Sequence, residues 1–382
     1  MQQKRRSKVR PVKPRATISL TTGAEEFTIA LRNGHAYTKP GAPPHFDSLI
    51  ETDPETFVGV LGGAPGIEAF LSGHLRVRKN LALALQLDAL LEGPTERRRH
   101  FAARRVTAAG VDTFFLEAGS GPPVILLHGL GATNASFLTT FWELSKDHHV
   151  IAPDLPGHGE SGKPIRAYHA GFYARWAAEL IAALGFERAV LIGNSMGGRI
   201  AIEVGFRHPE KVERIICLAP AAAFLKYRQW APLVRLLRPE MALVLVRLPH
   251  SRVVAMTRSL FYKPDKVPMS WHEGAADEFE RVFNTPRGRI AFFSALREIY
   301  LDEPYGKHGF WERLNSLQPP TLFVWGDHDR LVPARFAKHV ARELPRAKSV
   351  IMRDCGHVPQ FEQPEKTHRL IREFLAAEAK AA

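Results

Sequence analysis

From about Val106 to the C-terminus, short apolar runs alternate with longer segments whose apolar residues recur at helical spacing. The apolar runs predict strands at PPVILLHG, HVIAPDLPGHG, RAVLIGNS, VERIICLAP, PTLFVWGD and AKSVIMRDC. The longer segments, among them FLTTFWELSKDH, YHAGFYARWAAELIAALG and MGGRIAIEVGFRHP, predict helices. This alternation indicates an α/β fold with a parallel sheet covered on both faces. Such sheets hold their sites beyond the carboxyl ends of the strands. We therefore expect one functional rim to carry the loops after Leu127, Ile192, Trp325 and Asp354.

The N-terminal part of the chain has a different pattern. From about Thr17 to Leu91, TISLTTG, EEFTIALRNG and HAYTKPG alternate as short strands, and PETFVGVLGG indicates a short helix. Leu75 and Val77 alternate as in a further strand, whereas NLALALQLDALL fits a strand or a helix by periodicity. In LEGPTERRRHFAARRV, a Gly-Pro pair and a charge run interrupt the pattern. We place the domain boundary there.

Length and composition limit the class of protein. A chain of 382 residues is long enough for two domains, and 45% hydrophobic with 24% charged residues is ordinary for a globular protein. No run of about 18 apolar residues predicts a membrane span, and the basic N-terminus lacks the apolar segment of a secretory signal. Cys217 and Cys355 are too few for a disulfide scaffold or a cysteine-based zinc site. We expect a reducing cytoplasm.

The net charge of +13 is partly concentrated in two clusters. The first comprises Lys4, Arg5, Arg6, Lys8, Arg10, Lys13 and Arg15, and the second comprises Arg97, Arg98, Arg99, Arg104 and Arg105. The simplest interpretation is a solvated disordered tail and a charged linker. Among binding functions, weak association with an anionic membrane surface through the N-terminus is favoured over nucleic acid, because no nucleic-acid motif or aromatic interleaving accompanies the arginines.

Ser195 lies in GNSMGG, between a predicted strand and a predicted helix. A chain that reverses there needs glycine on both sides of the serine, and such strained turns tend to mark function. A serine hydroxyl is a weak nucleophile that needs a general base and a group that orients the base. His357 follows the last predicted strand, and WGDHDRLVP offers two acids, Asp327 and Asp329. We predict a Ser–His–Asp hydrolytic site without a metal or cofactor, since no HExxH or comparable spacing is present.

From about residue 106 to residue 382 the sequence resembles the α/β-hydrolase fold family. The motifs HGLG, PDLPGHGES, GNSMGG, WGDHDRLVP and CGHVPQFEQPE match that family in order. The resemblance selects Asp329 over Asp327 as the orienting acid and implies oxyanion donors in the backbone amides of Leu130 and Met196. It also implies a helical cap over the site, at about residues 221–317. Serine at the nucleophile position disfavours the dehalogenases and epoxide hydrolases of this fold, which use aspartate.

His128, beside the oxyanion segment, is interpreted as shaping that loop. His158 in PGHGES is interpreted as a structural residue of its own loop.

Residues 16–93 resemble the sterol carrier protein-type lipid-transfer domain. The matching residues are Ala69, Phe70, Leu71, Ser72, Gly73, Leu75 and Val77. The resemblance implies a helix for NLALALQLDALL and a pocket for a fatty acyl or sterol-like molecule. The family's opening helix is absent or replaced by the basic tail, and Lys79-Asn80 replaces the glycine that usually follows the strand. Lipid carriage and a role in stabilising or dimerising the enzyme both remain open.

These observations predict a tail over residues 1–15, a sterol carrier-like α+β domain over 16–93, a linker over 94–105 and a hydrolase domain over 106–382. The predicted function is cleavage of hydrophobic carboxylic esters or acyl-lipids through an acyl-serine intermediate. The alternatives are a lipid-binding or transfer protein and a non-hydrolytic acyltransferase or lyase on the same scaffold. The expected location is cytoplasmic, with a peripheral fraction at the membrane.

Overall fold

The computed structural model describes residues 9–12, 14–33, 35–61, 64–85, 101–222, 231–236, 238–243, 248–307 and 309–377. The strands in these ranges form two sheets. The first strand, β1 (Arg10–Pro11), belongs to the larger sheet. The next five strands form the N-terminal sheet in the order β4-β3-β2-β5-β6: β2 (Ala16–Thr22), β3 (Glu25–Arg32), β4 (His35–Pro40), β5 (Ser48–Thr52) and β6 (Leu75–Lys79). Among the described strands of this N-terminal sheet, only β2 and β5 pair in parallel.

Three helices accompany the N-terminal sheet: α1 (Pro54–Leu61), α2 (Gly66–Ser72) and α3 (Leu81–Leu85). In the segment NLALALQLDALL, the five residues after Asn80 are helical, as the family resemblance implies. Residues 86–91 lie outside the described residues. Strand β5 in SLIET was not predicted. It has only five residues, and it lies buried between β2 and β6.

The larger sheet has the strand order β1-β7-β8-β10-β9-β11-β12-β13-β14. Its further strands are β7 (Ala102–Ala108), β8 (Val111–Ala118), β9 (Pro123–Leu127), β10 (His149–Pro153), β11 (Ala189–Asn194), β12 (Val212–Leu218), β13 (Thr321–Gly326) and β14 (Lys348–Met352). From β10 to β14 every neighbouring pair is parallel, so these strands end on one rim. The predicted fold class is confirmed.

The helices of the larger domain fall into three groups along the chain. Before β12 lie α4 (Leu138–Leu144), α5 (Ala170–Ala183) and α6 (Met196–Arg207). Between β12 and β13, where the cap was predicted, lie α7 (Ala231–Leu236), α8 (His250–Ser259), α9 (Met269–Phe283), α10 (Pro286–Leu301) and α11 (Phe310–Leu314). The last group comprises α12 (Phe336–Glu343), α13 (Pro359–Glu362) and α14 (Pro364–Ala376). No helix among the described residues is long and apolar enough to cross a membrane.

Successive residues of β9 enter two different cores, because side chains alternate across a strand. Ile125 and Leu127 pack on one face with residues of α5 and α6. Val124 and Leu126 pack on the other face with residues of α4 and α14. This second core continues without a break into the N-terminal sheet, so the two domains share one apolar cluster.

Two stretches outside the predicted domains take part in the larger sheet. Arg10 and Pro11, in the stretch predicted to be a disordered tail, pair with Arg105 and Arg104 of β7. The Arg10 guanidinium also donates to Asp112, with 2.8 Å between the atoms. Without β1, strand β7 would present an unpaired edge, which proteins commonly cover. Strand β7 itself begins within the predicted linker, and residues 86–100 lie outside the described part of the chain.

The edge strand β6 of the N-terminal sheet packs against cap helix α9. Arg78 Nε donates to Asp277 Oδ2 at 2.7 Å, and the backbone N–H of Leu81 donates to buried Glu278 at 3.0 Å. Beside these polar contacts, Trp271 stacks on Phe70 with 6.3 Å between ring centroids. The cap is therefore held by the N-terminal domain as well as by its own hydrolase domain.

We expect Arg78→Ala to lower the free energy of unfolding by about 2 kcal/mol, because charge-assisted hydrogen bonds contribute about that much. Asp277 is 11% exposed and would lose its cationic partner. The measurement is urea unfolding. Arg76→Ala on the same strand is the matched control, since Arg76 is exposed and its loss should cost less than about 0.5 kcal/mol. Equal losses in the two variants would show that the contact with Asp277 contributes nothing specific.

Candidate active site

Ser195 connects β11 to α6 with φ 54° and ψ −116°, a strained conformation for a residue with a side chain. Three backbone hydrogen bonds hold it there. Ser195 N–H donates to Leu218 O at 3.0 Å, and Ser195 O accepts from the N–H groups of Arg199 and Ala221 at 3.1 and 2.9 Å. The hydroxyl therefore stands at the carboxyl rim of the sheet, at the amino end of a twelve-residue helix.

The glycines around Ser195 are required by backbone contacts. A Cβ atom at Gly193 would lie 2.3 Å from the carbonyl oxygen of Gly197, and one at Gly197 would lie 1.9 Å from the carbonyl oxygen of Leu127. Both distances are far inside a carbon–oxygen contact. The sequence interpretation of this turn thus has a direct steric reason.

His357 and Asp329 are brought together, with 2.7 Å between His357 Nδ1 and Asp329 Oδ2. Both side chains are buried. The other carboxylate oxygen of Asp329 accepts from the N–H groups of Leu331 and Val332 at 2.8 and 2.9 Å. These bonds fix the carboxylate in the orientation that faces the imidazole.

Asp327, the other acid of WGDHDRLVP, has a different partner. Its Oδ1 accepts from the N–H of Cys355 at 3.2 Å, which ties the loop after β13 to the loop that carries His357. The geometry thus gives Asp327 a part in holding a loop and gives Asp329 the contact with the imidazole.

Asn194 was missed at the sequence level. Its buried side-chain amide donates to Leu218 O at 2.9 Å and to His357 O at 3.1 Å. One side chain therefore ties the residue before Ser195 to the backbone of His357. The available signal was a polar amide at the end of an otherwise apolar strand.

The loop after β9 closes over Ser195. A Cβ atom at Gly129 would lie 3.4 Å from the Cβ of Ser195, so the backbone that precedes Leu130 passes directly beside the serine. Met196 is the first residue of α6, where N–H groups have no acceptor within the helix. The two amides predicted as oxyanion donors belong to segments that flank Ser195.

His128 is completely buried below this loop. Its Nε2 accepts from the N–H of Leu155 at 2.9 Å and its Nδ1 lies 2.8 Å from Gly129 O, which fixes the neutral tautomer. Burial lowers the pKa of His128 to about 4, and burial together with His128 lowers the pKa of His158 to about 3. With both ring nitrogens of His128 engaged, it shapes the loop and has no free nitrogen for proton transfer.

Cap helices place an aromatic cluster against the loop after β9 (the predicted oxyanion loop), which carries Leu130. Gly131 has φ +71°, and a Cβ atom there would lie 3.0 Å from the rings of Phe279 on α9 and Phe292 on α10. Phe283 packs against both rings and Phe293 packs against Phe292, and we call the four phenylalanines the cap roof. An apolar aromatic surface therefore lies against the loop that passes beside Ser195.

A buried ion-pair cluster anchors helix α6. Arg199 Nη1 donates to Glu203 at 2.8 Å, and its Nε donates to Asp302, just beyond α10, at 2.9 Å. Burial raises the pKa of Glu203, but the cations of Arg199 and Arg313 outweigh that effect and hold it at about 2. A cleft of about 300 Å³ beside this cluster includes Met196 but neither Ser195 nor His357, so it is not the candidate active site.

Among the described residues, His250, Asp277 and Glu280 bring three ligand-type atoms within 4.8 Å of one another. The Arg78 guanidinium already donates to Asp277 and lies 3.3 Å from His250 Nε2. A cation of the protein thus occupies this position, and we assign it no metal.

Comparison with known proteins identifies the families to which the two parts of the chain are similar. Residues 122–364 match the alpha/beta hydrolase fold family, and residues 1–92 match the SCP-2 sterol transfer family. The 2-hydroxymuconate semialdehyde hydrolase of Pseudomonas sp. (strain CF600) is 29% identical, over 73% of this chain and 95% of its own. A membrane phospholipase A described as a bacterial virulence factor has 26% identity and a TM-score of 0.60, over 86% of this chain and 97% of its own. A meta-cleavage product hydrolase has 26% identity and a TM-score of 0.59, over 71% of this chain and 97% of its own. The chain belongs to the alpha/beta hydrolase fold family and carries an SCP-2 domain at its N-terminus.

Proposed function

We propose that this protein is a serine hydrolase that cleaves hydrophobic carboxylic esters through an acyl-serine intermediate. The observation that carries the proposal is the 2.7 Å contact between His357 Nδ1 and Asp329, with Asn194 tying the backbone of His357 to the residue before Ser195. A nucleophile, a base and an orienting acid are the three parts that acyl transfer to serine requires.

In the proposed reaction, Ser195 Oγ attacks the ester carbonyl while His357 Nε2 accepts its proton. The Asp329 carboxylate keeps the imidazole proton on Nδ1 and stabilises the imidazolium that forms. The amides of Leu130 and Met196 donate to the oxyanion. His357 then protonates the departing alcohol, and a water molecule activated by His357 releases the acid and regenerates Ser195.

The choice of a hydrophobic ester rests on the cap roof. Phe279 and Phe292 lie against the oxyanion loop, so the part of the substrate next to the carbonyl meets aromatic carbon. The name of one structural relative, a membrane phospholipase A, indicates acyl-ester chemistry on a similar scaffold. The name of another relative, 2-hydroxymuconate semialdehyde hydrolase, indicates a second substrate class that the test must include.

We expect kcat/KM for p-nitrophenyl esters to rise with acyl length from acetate until the pocket is filled. Each buried methylene contributes about 0.8 kcal/mol, about a fourfold gain per carbon. The measurement is initial rates across the acyl series, with 2-hydroxymuconate semialdehyde assayed in parallel. Turnover of the semialdehyde without turnover of any ester would contradict the proposal.

A second candidate function, lipid binding or transfer, is favoured by the match of residues 1–92 to the SCP-2 sterol transfer family. Titration of the full-length Ser195→Ala chain with a fluorescent fatty acid tests it without turnover. Saturable one-to-one binding supports a lipid-carrying domain. No binding at micromolar protein concentration would count against lipid carriage, and the contact with the cap would then be the function left for that domain.

A further inference from the structure

The outer part of the cap exposes large apolar side chains close together in the chain. On α7, Leu233 is 52% exposed and Leu236 is 77% exposed. In the short turn at Pro239–Leu243, Met241 is 62% exposed and Leu243 is 51% exposed. We call these four residues the cap patch. Exposed apolar side chains that form a contiguous patch mark interaction surfaces, whereas single ones are ordinary.

The cap patch is attached to a helix that contributes to the cap roof. Both α7 and the turn at Pro239–Leu243 pack against α10. Arg297 on α10 donates to the carbonyl oxygens of Val234 and Arg235 at 3.2 and 2.9 Å, which fixes α7 on that helix. Phe292, also on α10, lies against Gly131 of the oxyanion loop.

Basic residues outnumber acidic residues in the part of the sequence that contains the cap patch. From residue 221 to residue 264 the sequence has eight Lys or Arg residues and one acidic residue, Glu240. Arg235, Arg238 and Arg252 are exposed in the structure. Arg235 pairs with Glu303 at 3.3 Å, but both side chains are more than half exposed, and such pairs are weak in water. Apolar side chains interleaved with arginine suit an anionic bilayer, whereas two copies of this surface would repel each other.

We propose that the cap patch docks this protein on anionic lipid bilayers. Leu233, Leu236, Met241 and Leu243 enter the acyl boundary, and Arg235 and Arg238 contact lipid phosphates. Docking places α10, and with it the cap roof, beside the bilayer in which an apolar ester dissolves. The advantage for catalysis rests on the proposed function, whereas binding of the cap patch to the bilayer does not. The inference moves the expected membrane contact from the basic tail to the cap.

The test is co-sedimentation of the full-length protein with phosphatidylcholine vesicles, with and without phosphatidylglycerol. We expect binding to the anionic vesicles that decreases with salt. The double variant Leu233→Ser, Leu236→Ser should weaken it at least about tenfold, since two leucines would no longer be buried. The control is Val58→Ser, Leu61→Ser on α1, where the side chains are 66% and 54% exposed, and it should bind like the wild type.

Each of the following binding results overturns the proposal: equal binding by the cap-patch variant and the wild type, equal loss in the α1 control, or loss of binding on neutralising only Lys4, Arg5 and Arg6. A dimer in the absence of lipid that the cap-patch variant abolishes would also overturn it, by assigning the patch to a second copy. Turnover of p-nitrophenyl acetate in solution is followed for every variant. It should stay unchanged, so failure of membrane docking and failure of the proposed chemistry give separate readings.

Discussion

Replacement of Ser195 by alanine is expected to lower kcat for ester hydrolysis by at least about a thousandfold, since loss of the nucleophile of a triad removes nearly all of its concerted catalysis. The methyl group fits wherever the hydroxymethyl group does, and the bonds that fix residue 195 are made by its backbone. The fold should therefore be unchanged. The residual rate reports what the oxyanion donors and substrate binding achieve alone.

The measurement is steady-state hydrolysis of the best p-nitrophenyl ester, together with mass spectrometry of the protein quenched during turnover. The wild type should gain the mass of the acyl group, and Ser195→Ala should not. Ser251→Ala, an exposed serine on α8, is the matched control and should keep wild-type kinetics. Wild-type turnover by Ser195→Ala would refute the proposed mechanism.

Asp329→Asn is expected to lower kcat by about a hundredfold to ten-thousandfold, because an amide in place of the carboxylate favours the wrong tautomer of His357. The variant conserves shape, and an asparagine carbonyl can still accept from Leu331 and Val332, so the loss should appear in kcat more than in stability. The measurement is kcat across pH together with the temperature of unfolding.

Asp327→Asn is the matched control, two residues away in the same loop. Its carboxylate accepts from the N–H of Cys355, which an asparagine carbonyl can also do, and we expect kcat to change by less than about threefold. If Asp327→Asn were the more damaging change, the orienting acid would have to be reassigned.

Much of the larger domain could be predicted from the sequence, because its strands and its turn at Ser195 are determined by residues close together in the chain. Parallel strands buried on both faces leave apolar runs, and the turn at Ser195 leaves two glycines that only a crowded backbone needs. Assignment of Asp329 over Asp327 was different. Nothing local distinguishes two acids in one loop, and the preference came from a family resemblance.

Two kinds of feature were missed: a hairpin with only a weak local signal, and contacts between residues distant in sequence. The hairpin of β7 and β8 had a weak signal, two alternating segments around Ala109 and Gly110, which both have positive φ. Asn194 had almost no local signal, because the hydrogen bond from its amide depends on the position of the loop that carries His357. The pairing of Arg10 with β7 and of Arg78 with Asp277 joins residues about a hundred or more positions apart, beyond the range of any periodicity.

The contact between Arg78 and Asp277 also has a consequence for synthesis on the ribosome. The two residues are 199 positions apart, so at about 5–20 residues per second the N-terminal sheet waits roughly 10–40 s for its partner helix to be made. Throughout that interval β6 is a bare edge strand, with the N–H of Leu81 unpaired and Phe70 without Trp271. The nascent chain therefore passes through a stage at which half of an interface is open to other chains, and a chaperone that shields sheet edges would act at that stage.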